Sequence, residues 1–131
     1  MPTTAIAQLL SVNLYYRRFF PYYTFNVLGG VDENGKGVAY SYDAVGSFER
    51  VKYSSSGTGQ SLIQPFLDNQ VAKLNQTIKS GAPASSSDVV DFVKDALTSA
   101  GERDIYTGDS IDLAVIDANG IHMHQQALKK D

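Results

Sequence analysis

The chain has 131 residues, enough for one domain that buries roughly two-thirds of the surface its unfolded form exposes. Its net charge of −3, with acids and bases interspersed, offers no basic field to a phosphate backbone, and the absence of cysteine removes disulfides, thiolate nucleophiles and cysteine-bound zinc together. Eight Tyr and six Phe in a chain that is 43% hydrophobic point to a folded core and away from disorder.

Residues 1–10 carry neither a basic start nor a long apolar run, so no signal peptide or membrane span is expected there, and a soluble intracellular protein is the default expectation. From Thr3 to Arg18, apolar residues at Ala5, Ile6, Leu9, Leu10, Val12 and Tyr16 follow the spacing of an amphipathic helix. Thr3 or Thr4 would cap its start, Arg17 and Arg18 suit the negative end of its dipole, and Pro21 places its end near Phe19. Residues 23–30 are rich in aromatic and β-branched types and predict a strand. Asn34-Gly35 then marks a hairpin, with 38–42 returning, and the turn at 43–47 leads to a third strand over 48–53. Three antiparallel strands are expected.

After a small-residue loop at 54–59, Leu62, Ile63, Phe66, Leu67, Val71, Leu74 and Ile78 trace a second helix, in which Pro65 fits only the first turn. Residues 79–86 break the pattern, and a serine before Asp88 caps a third helix with Val89, Val90, Val93, Leu97 and Ala100 on one face. Alternation over 111–116, the turn Asp117-Ala118-Asn119-Gly120 and a return over 121–128 close the chain. Both Asn-Gly pairs are expected in type I′ turns, whose central residues need positive φ. Helix, three strands, two helices and two strands make an α+β protein in which helices and antiparallel strands form separate layers.

Three groupings invite chemistry and resolve into plainer readings. His122 and His124 would share one face of a strand and could hold a metal with a third ligand, but no cysteine or carboxylate cluster completes the set, so a solvated or subunit-contact face is expected and no metal. Gly29-Gly30 and Gly35-x-Gly37 are not followed by Gly-Lys-Ser/Thr or by a helix, so they are turn glycines and not a phosphate loop. Arg17-Arg18-Phe19-Phe20-Pro21-Tyr22-Tyr23 could stack bases, yet two arginines make a poor funnel for nucleic acid; packing or a protein contact is the expected use.

Taken in order, that same segment at 17–23, Gly29-Gly30-Val31-Asp32-Glu33-Asn34-Gly35-Lys36-Gly37, Tyr42-Asp43-Ala44-Val45-Gly46-Ser47-Phe48-Glu49-Arg50, Leu67-Asp68-Asn69-Gln70-Val71 and Glu102-Arg103-Asp104-Ile105-Tyr106-Thr107-Gly108-Asp109 resemble beta subunits of the proteasome core particle. The closing Leu128-Lys129-Lys130-Asp131 extends the likeness over essentially the whole chain. Within that family the segments are most similar to the non-catalytic class at the sixth position of the beta ring. The resemblance implies a four-layer αββα sandwich of the N-terminal nucleophile hydrolase type, with residues 1–131 as the C-terminal part of a single beta-subunit domain and the nucleophile-bearing strands absent. It also implies a structural role in 20S ring assembly and the proteolytic chamber, within ubiquitin-dependent protein degradation. Other alpha and beta subunits would be partners in a hetero-oligomeric ring, in cytoplasm and nucleus, with no nucleic acid, membrane or cofactor involved.

Catalytic members attack with an N-terminal threonine whose own amine moves the proton. That residue opens a strand in the family, whereas Thr3-Thr4 leads into a helical pattern, so no catalytic residue is expected in this chain. Asp104-Ile105-Tyr106-Thr107-Gly108 matches an Asp-x-x-Ser-Gly segment that supports the nucleophile in catalytic members, with Thr107 in place of serine. Thr58 also stands where catalytic members carry serine, and Asp109 replaces what is often a second glycine. Thr58, Asp104, Thr107 and Gly108 are thus read as a vestigial active-site neighbourhood, set against the plainer reading of a hydrogen-bonded turn from a helix into a strand. A fragment of a catalytic threonine peptidase is disfavoured by Thr58, Thr107 and Asp109; a free-standing interaction domain is the alternative outside the family.

Overall fold

The structure is a computed structural model, and it describes residues 1–72 and 85–130. Its elements are α1 (Thr3–Tyr16), β1 (Val27–Val31), β2 (Gly37–Tyr42), β3 (Phe48–Val51), α2 (Gln60–Leu67) running into a π-helical turn (Asp68–Ala72), α3 (Ser86–Arg103), β4 (Ser110–Asp117) and β5 (Gly120–Ala127). Helices with antiparallel sheets give the expected α+β class. The chain divides into two units, Met1–Ser56 with Leu113–His124, and Gly57–Asp112 with Gln125–Asp131.

In the first unit, β1, β2 and β3 form an antiparallel meander in which Leu28 faces Tyr40 and Tyr42 faces Phe48. Alternation along β2 buries Val38, Tyr40 and Tyr42 and leaves Ala39 and Ser41 between them less covered. Onto this face α1 packs Ala7, Leu10 and Leu14, joined by Leu28 and Phe48. Ala7 is 1% exposed, and its small side chain lets the helix backbone come close enough for the Tyr42 hydroxyl to donate to the Ala7 carbonyl at 2.6 Å. Burial, with Tyr40 adding to it, pushes the Tyr42 phenol above its usual pKa and keeps the donor protonated.

Several boundaries differ from those expected. Neither threonine caps α1: Pro2 occupies the N-cap position, and the buried Thr3 donates its hydroxyl to the Val31 carbonyl at 2.7 Å, across to the end of β1. The helix stops at Tyr16, where turns through 17–20 replace the helical ladder. The first strand starts at Val27, Tyr23 has φ +59°, outside the extended region, and β3 ends at Val51.

The hairpin turns are also not type I′. Among the described residues only Tyr23 and Asp109 are non-glycine residues at positive φ, so Asn34 and Asn119 do not take the left-handed conformation that such a turn requires. Instead, the Gly35 N–H donates to the Asp32 carbonyl at 3.0 Å and the Asp32 N–H to the Lys36 carbonyl at 2.8 Å. Asp32 Oδ1 accepts from the N–H groups of Asn34 and Lys36. The turn from Asp43 to Ser47 repeats each of these bonds, with Oδ1 accepting from Val45 and Ser47. An aspartate that collects the turn amides, followed three places on by a glycine at φ +75° or +91°, is the working pattern: a turn plus a glycine bulge.

In the second unit, Ser85 caps α3 as expected, in a reciprocal capping box with Asp88. The packed face of α3 is set by Ala96 and Ala100, while Val89 is 40% exposed. α2 packs against α3. Pro65 sits in the second turn of α2, not the first; it cannot donate to the Ser61 carbonyl, and the helix widens into the π turn shortly beyond it. Leu74, Ile78 and the break expected over 79–84 lie outside the described residues. β4 and β5 pair as a hairpin spanning parts of both units, with Ile111 and Leu113 buried and β5 exposed along its length.

Gly46 tests the close approach of turn and helix, because a Cβ there would lie 2.5 Å from the Ser11 carbonyl oxygen. Gly46→Ala should cost about 1–3 kcal/mol in chemical denaturation. Gly57→Ala, at φ +113° but with nothing within 4 Å of the added atom, carries the backbone strain without the contact and should cost less, about 1 kcal/mol. Equal effects would show that Gly46 is not confined by α1.

Candidate functional site

The second unit brings together Thr58, Asp104 and Thr107. α3 ends at Arg103, and Asp104 turns the chain out with φ −97° and ψ 115° while its N–H still reaches the Ala100 carbonyl at 2.7 Å. One carboxylate oxygen of Asp104 accepts from the Tyr106 N–H at 3.1 Å. The other accepts from the Thr107 hydroxyl at 2.7 Å and from the Thr58 hydroxyl at 2.5 Å, a bond between positions 46 apart in sequence. The Thr107 N–H closes back on the Asp104 carbonyl at 3.2 Å. Two of these bonds, from the N–H two places on to the carboxylate and from the N–H three places on to the aspartate carbonyl, repeat those of the Asp32 and Asp43 turns, and the Thr107 hydroxyl adds a bond that the glycine there cannot make.

Thr58 is delivered by the turn ahead of α2. Gly57 takes φ +113°, and the buried Gly59 lies so near the end of α3 that a Cβ would stand 3.3 Å from the Ala100 Cβ and 3.4 Å from Asp104 Oδ2. Two glycines, Gly57 and Gly59, flanking a single polar residue are the sequence signal that the loop needs close approach.

The electrostatics follow from the donors. The Thr58 hydroxyl first, then the Thr107 hydroxyl and the Tyr106 N–H, hold the Asp104 carboxyl below the usual carboxylate range. A carboxylate so stabilised is a poor proton acceptor near neutral pH, and both hydroxyls spend their protons on it. The arrangement pins the end of α3 to the turn at the start of α2.

Gly108 stands apart, with open space around its Cα, and Asp109 adopts φ +65° while its carbonyl accepts from the Leu128 N–H at 2.9 Å. A cleft of about 410 Å³ adjoins Thr107, between Gly101, Glu102 and Ile105 on one side and Leu128 and Lys129 on the other. His122 lies 3.5 Å from Asp117, both half exposed, and among the described residues no group of three His, Cys, Asp or Glu side chains could hold a metal ion.

A meander under a helix, a capped helix ending in an aspartate-centred turn, and the ordered segments that carry them have a counterpart in known proteins. The family described as "Proteasome subunit" matches residues 1–116, and the chain belongs to that family. Among individual relatives, it is 62% identical over its whole length to the protein named "Proteasome subunit beta type-1" of Dictyostelium discoideum. It is 50% identical to the protein of that name from Petunia hybrida and 44% identical to the one from Drosophila melanogaster, again over the whole chain. The chain spans 56%, 60% and 57% of these three proteins respectively.

The depressed Asp104 pKa fixes the direction of a pH effect. A carboxyl whose folded pKa lies below its unfolded value of about 3.9 contributes stability fully present above that value and lost as pH falls through the folded one. In a carboxyl-carbon NMR titration, Asp104 should show a low midpoint that Thr58→Val moves upward. Asp104→Asn should flatten the acid limb of the stability profile, and an unmoved midpoint in Thr58→Val would remove the hydroxyl as its cause.

Proposed function

We propose that this chain serves as a non-catalytic, structural beta-subunit element of the 20S proteasome core particle, contributing to ring assembly and to the wall of the proteolytic chamber in ubiquitin-dependent degradation. The observation that carries the reading is the 62% identity, over the entire chain, with a protein named proteasome subunit beta type-1. Its partners on this reading are the other alpha and beta subunits of a hetero-oligomeric ring, in cytoplasm and nucleus, without nucleic acid or membrane.

Under the same proposal, residues 1–131 are the C-terminal part of one beta-subunit domain, and their helices and antiparallel sheets belong to an αββα sandwich of the N-terminal nucleophile hydrolase type. Thr58, Asp104, Thr107 and Gly108 are the vestige of the neighbourhood that supports the nucleophile in catalytic relatives. The contacts of the Thr58 and Thr107 hydroxyls with the Asp104 carboxylate support the retention of that turn as a scaffold. The helical setting of Thr3 and Thr4, with Thr3 bonded to Val31, supports the same view.

Two measurements test the proposal. A C-terminally tagged product of the gene should co-purify with alpha and other beta subunits, and recovery without any of them would count against ring membership. The purified chain should not turn over fluorogenic substrates for chymotrypsin-like, trypsin-like or caspase-like cleavage. Turnover blocked by a threonine-reactive epoxyketone would overturn the non-catalytic assignment.

A further inference from the structure

The first unit holds both Asn-Gly pairs of the chain, Asn34-Gly35 and Asn119-Gly120. Such a pair carries a chemistry of its own. Glycine has no side chain to shield its amide nitrogen, so that nitrogen can reach the carboxamide carbon of the asparagine before it. Leu14 after Asn13 and Val27 after Asn26 obstruct the same approach.

The two pairs are held differently. In the first, the Gly35 N–H donates to the Asp32 carbonyl at 3.0 Å, and the amides on either side, Asn34 and Lys36, both donate to Asp32 Oδ1, at 2.9 and 3.0 Å. A Cβ on Gly35 would stand 3.2 Å from the Ala118 Cβ, so the tip of the second hairpin backs this turn. Moving the Gly35 nitrogen onto Asn34 breaks its bond to Asp32 and disturbs the two beside it. Gly120, by contrast, is exposed at φ +134°, and a Cβ there would meet nothing within 4 Å. The Asn119 N–H is fixed on Asp117 Oδ1 at 2.7 Å, and the other oxygen of that carboxylate faces His122 Nε2 at 3.5 Å. Asn119 is thus anchored on its amino side, while the glycine on its other side has room to turn.

We propose that Asn119, ahead of Asn34, is a site of self-modification, where the hairpin converts asparagine into aspartate and isoaspartate through a cyclic imide formed with Gly120. The Gly120 nitrogen gives its proton to solvent and attacks Asn119 Cγ; the N–Cγ bond forms, the Cγ–Nδ2 bond breaks, and Nδ2 leaves as ammonia after taking up a proton. Water then opens the imide. Opening at the main-chain carbonyl leaves isoaspartate, with the chain routed through the side-chain carbon, and opening at the other carbonyl leaves aspartate. Water is consumed, ammonia is released and nothing is oxidised or reduced. Either product adds a carboxylate beside Asp117, and isoaspartate also lengthens the main chain at the tip that backs Gly35. The reacting atoms belong to adjacent residues, so the inference does not require ring membership.

The purified full chain, held in warm neutral buffer, supplies timed samples for peptide mapping by mass spectrometry, with fragmentation that separates isoaspartate from aspartate. Asn119 should convert about tenfold faster than Asn13 and Asn26, and about threefold faster than Asn34. In guanidinium chloride, which removes both turns, the two Asn-Gly rates should converge. Gly120→Ala should slow conversion at Asn119 about tenfold, with circular dichroism showing whether the variant is folded. The comparison of folded with denatured parent needs no variant. Conversion at Asn119 no faster than at Asn26, or Asn34 keeping level with Asn119 in the folded chain, would overturn the proposal. So would an unchanged rate at Asn119 in folded Gly120→Ala.

Discussion

A tyrosine hydroxyl sealed under a helix must have an acceptor, and in this protein the acceptor is a helix carbonyl, Ala7, 2.6 Å from the Tyr42 oxygen. That bond allows little latitude in how α1 lies on the meander, since a larger side chain at position 7 would lift the helix and strand the donor. It has two companions. Thr3 reaches the Val31 carbonyl and Ser11 reaches the Gly46 carbonyl at 2.6 Å, so positions 3, 7 and 11, one turn apart, form a narrow polar seam along the packed side of the helix. Leucines at 10 and 14 supply apolar contact beside the seam, but contact alone would tolerate a slide that three directed bonds do not.

The same economy of directed bonds recurs in the second unit, where one carboxylate ties a loop to a helix end beside the buried Leu67, Ala96 and Ala100. Asp104 gathers two hydroxyls and an amide, and it does so because glycines at 57 and 59 let the loop bearing Thr58 come within reach of the end of α3. The geometry holds a fixed carboxylate as a joint between two helices.

How much of this was legible in the sequence depended on distance along the chain. The serine cap before Asp88 and the returning strand over 38–42 are local patterns, and both stand where the sequence places them. The two Asn-Gly turns lie where the sequence puts them but are not type I′: neither asparagine takes positive φ, and each gives its N–H to the aspartate two places before it, Asp32 or Asp117. Thr3 was read as a cap because its partner, Val31, lies 28 positions away and leaves no local trace. Tyr23 looked like strand by composition, and its positive φ is a property of the path between α1 and β1 that propensity does not encode. Thr58 and Asp104, 46 positions apart, came together only through family resemblance; nothing in the spacing joined them.

The two aspartate-and-glycine turns bear on the order of assembly of the first unit. Each closes a very short loop with bonds from its own residues, so the meander needs little loop-closure entropy and is suited to form early. The seam on α1 joins positions 28 and 35 apart and can form only once strands are there to receive it. On this view the helix is the latch and the meander the frame: damage to a turn is felt chiefly as slow folding, and damage to the seam chiefly as a native state that lets go too soon.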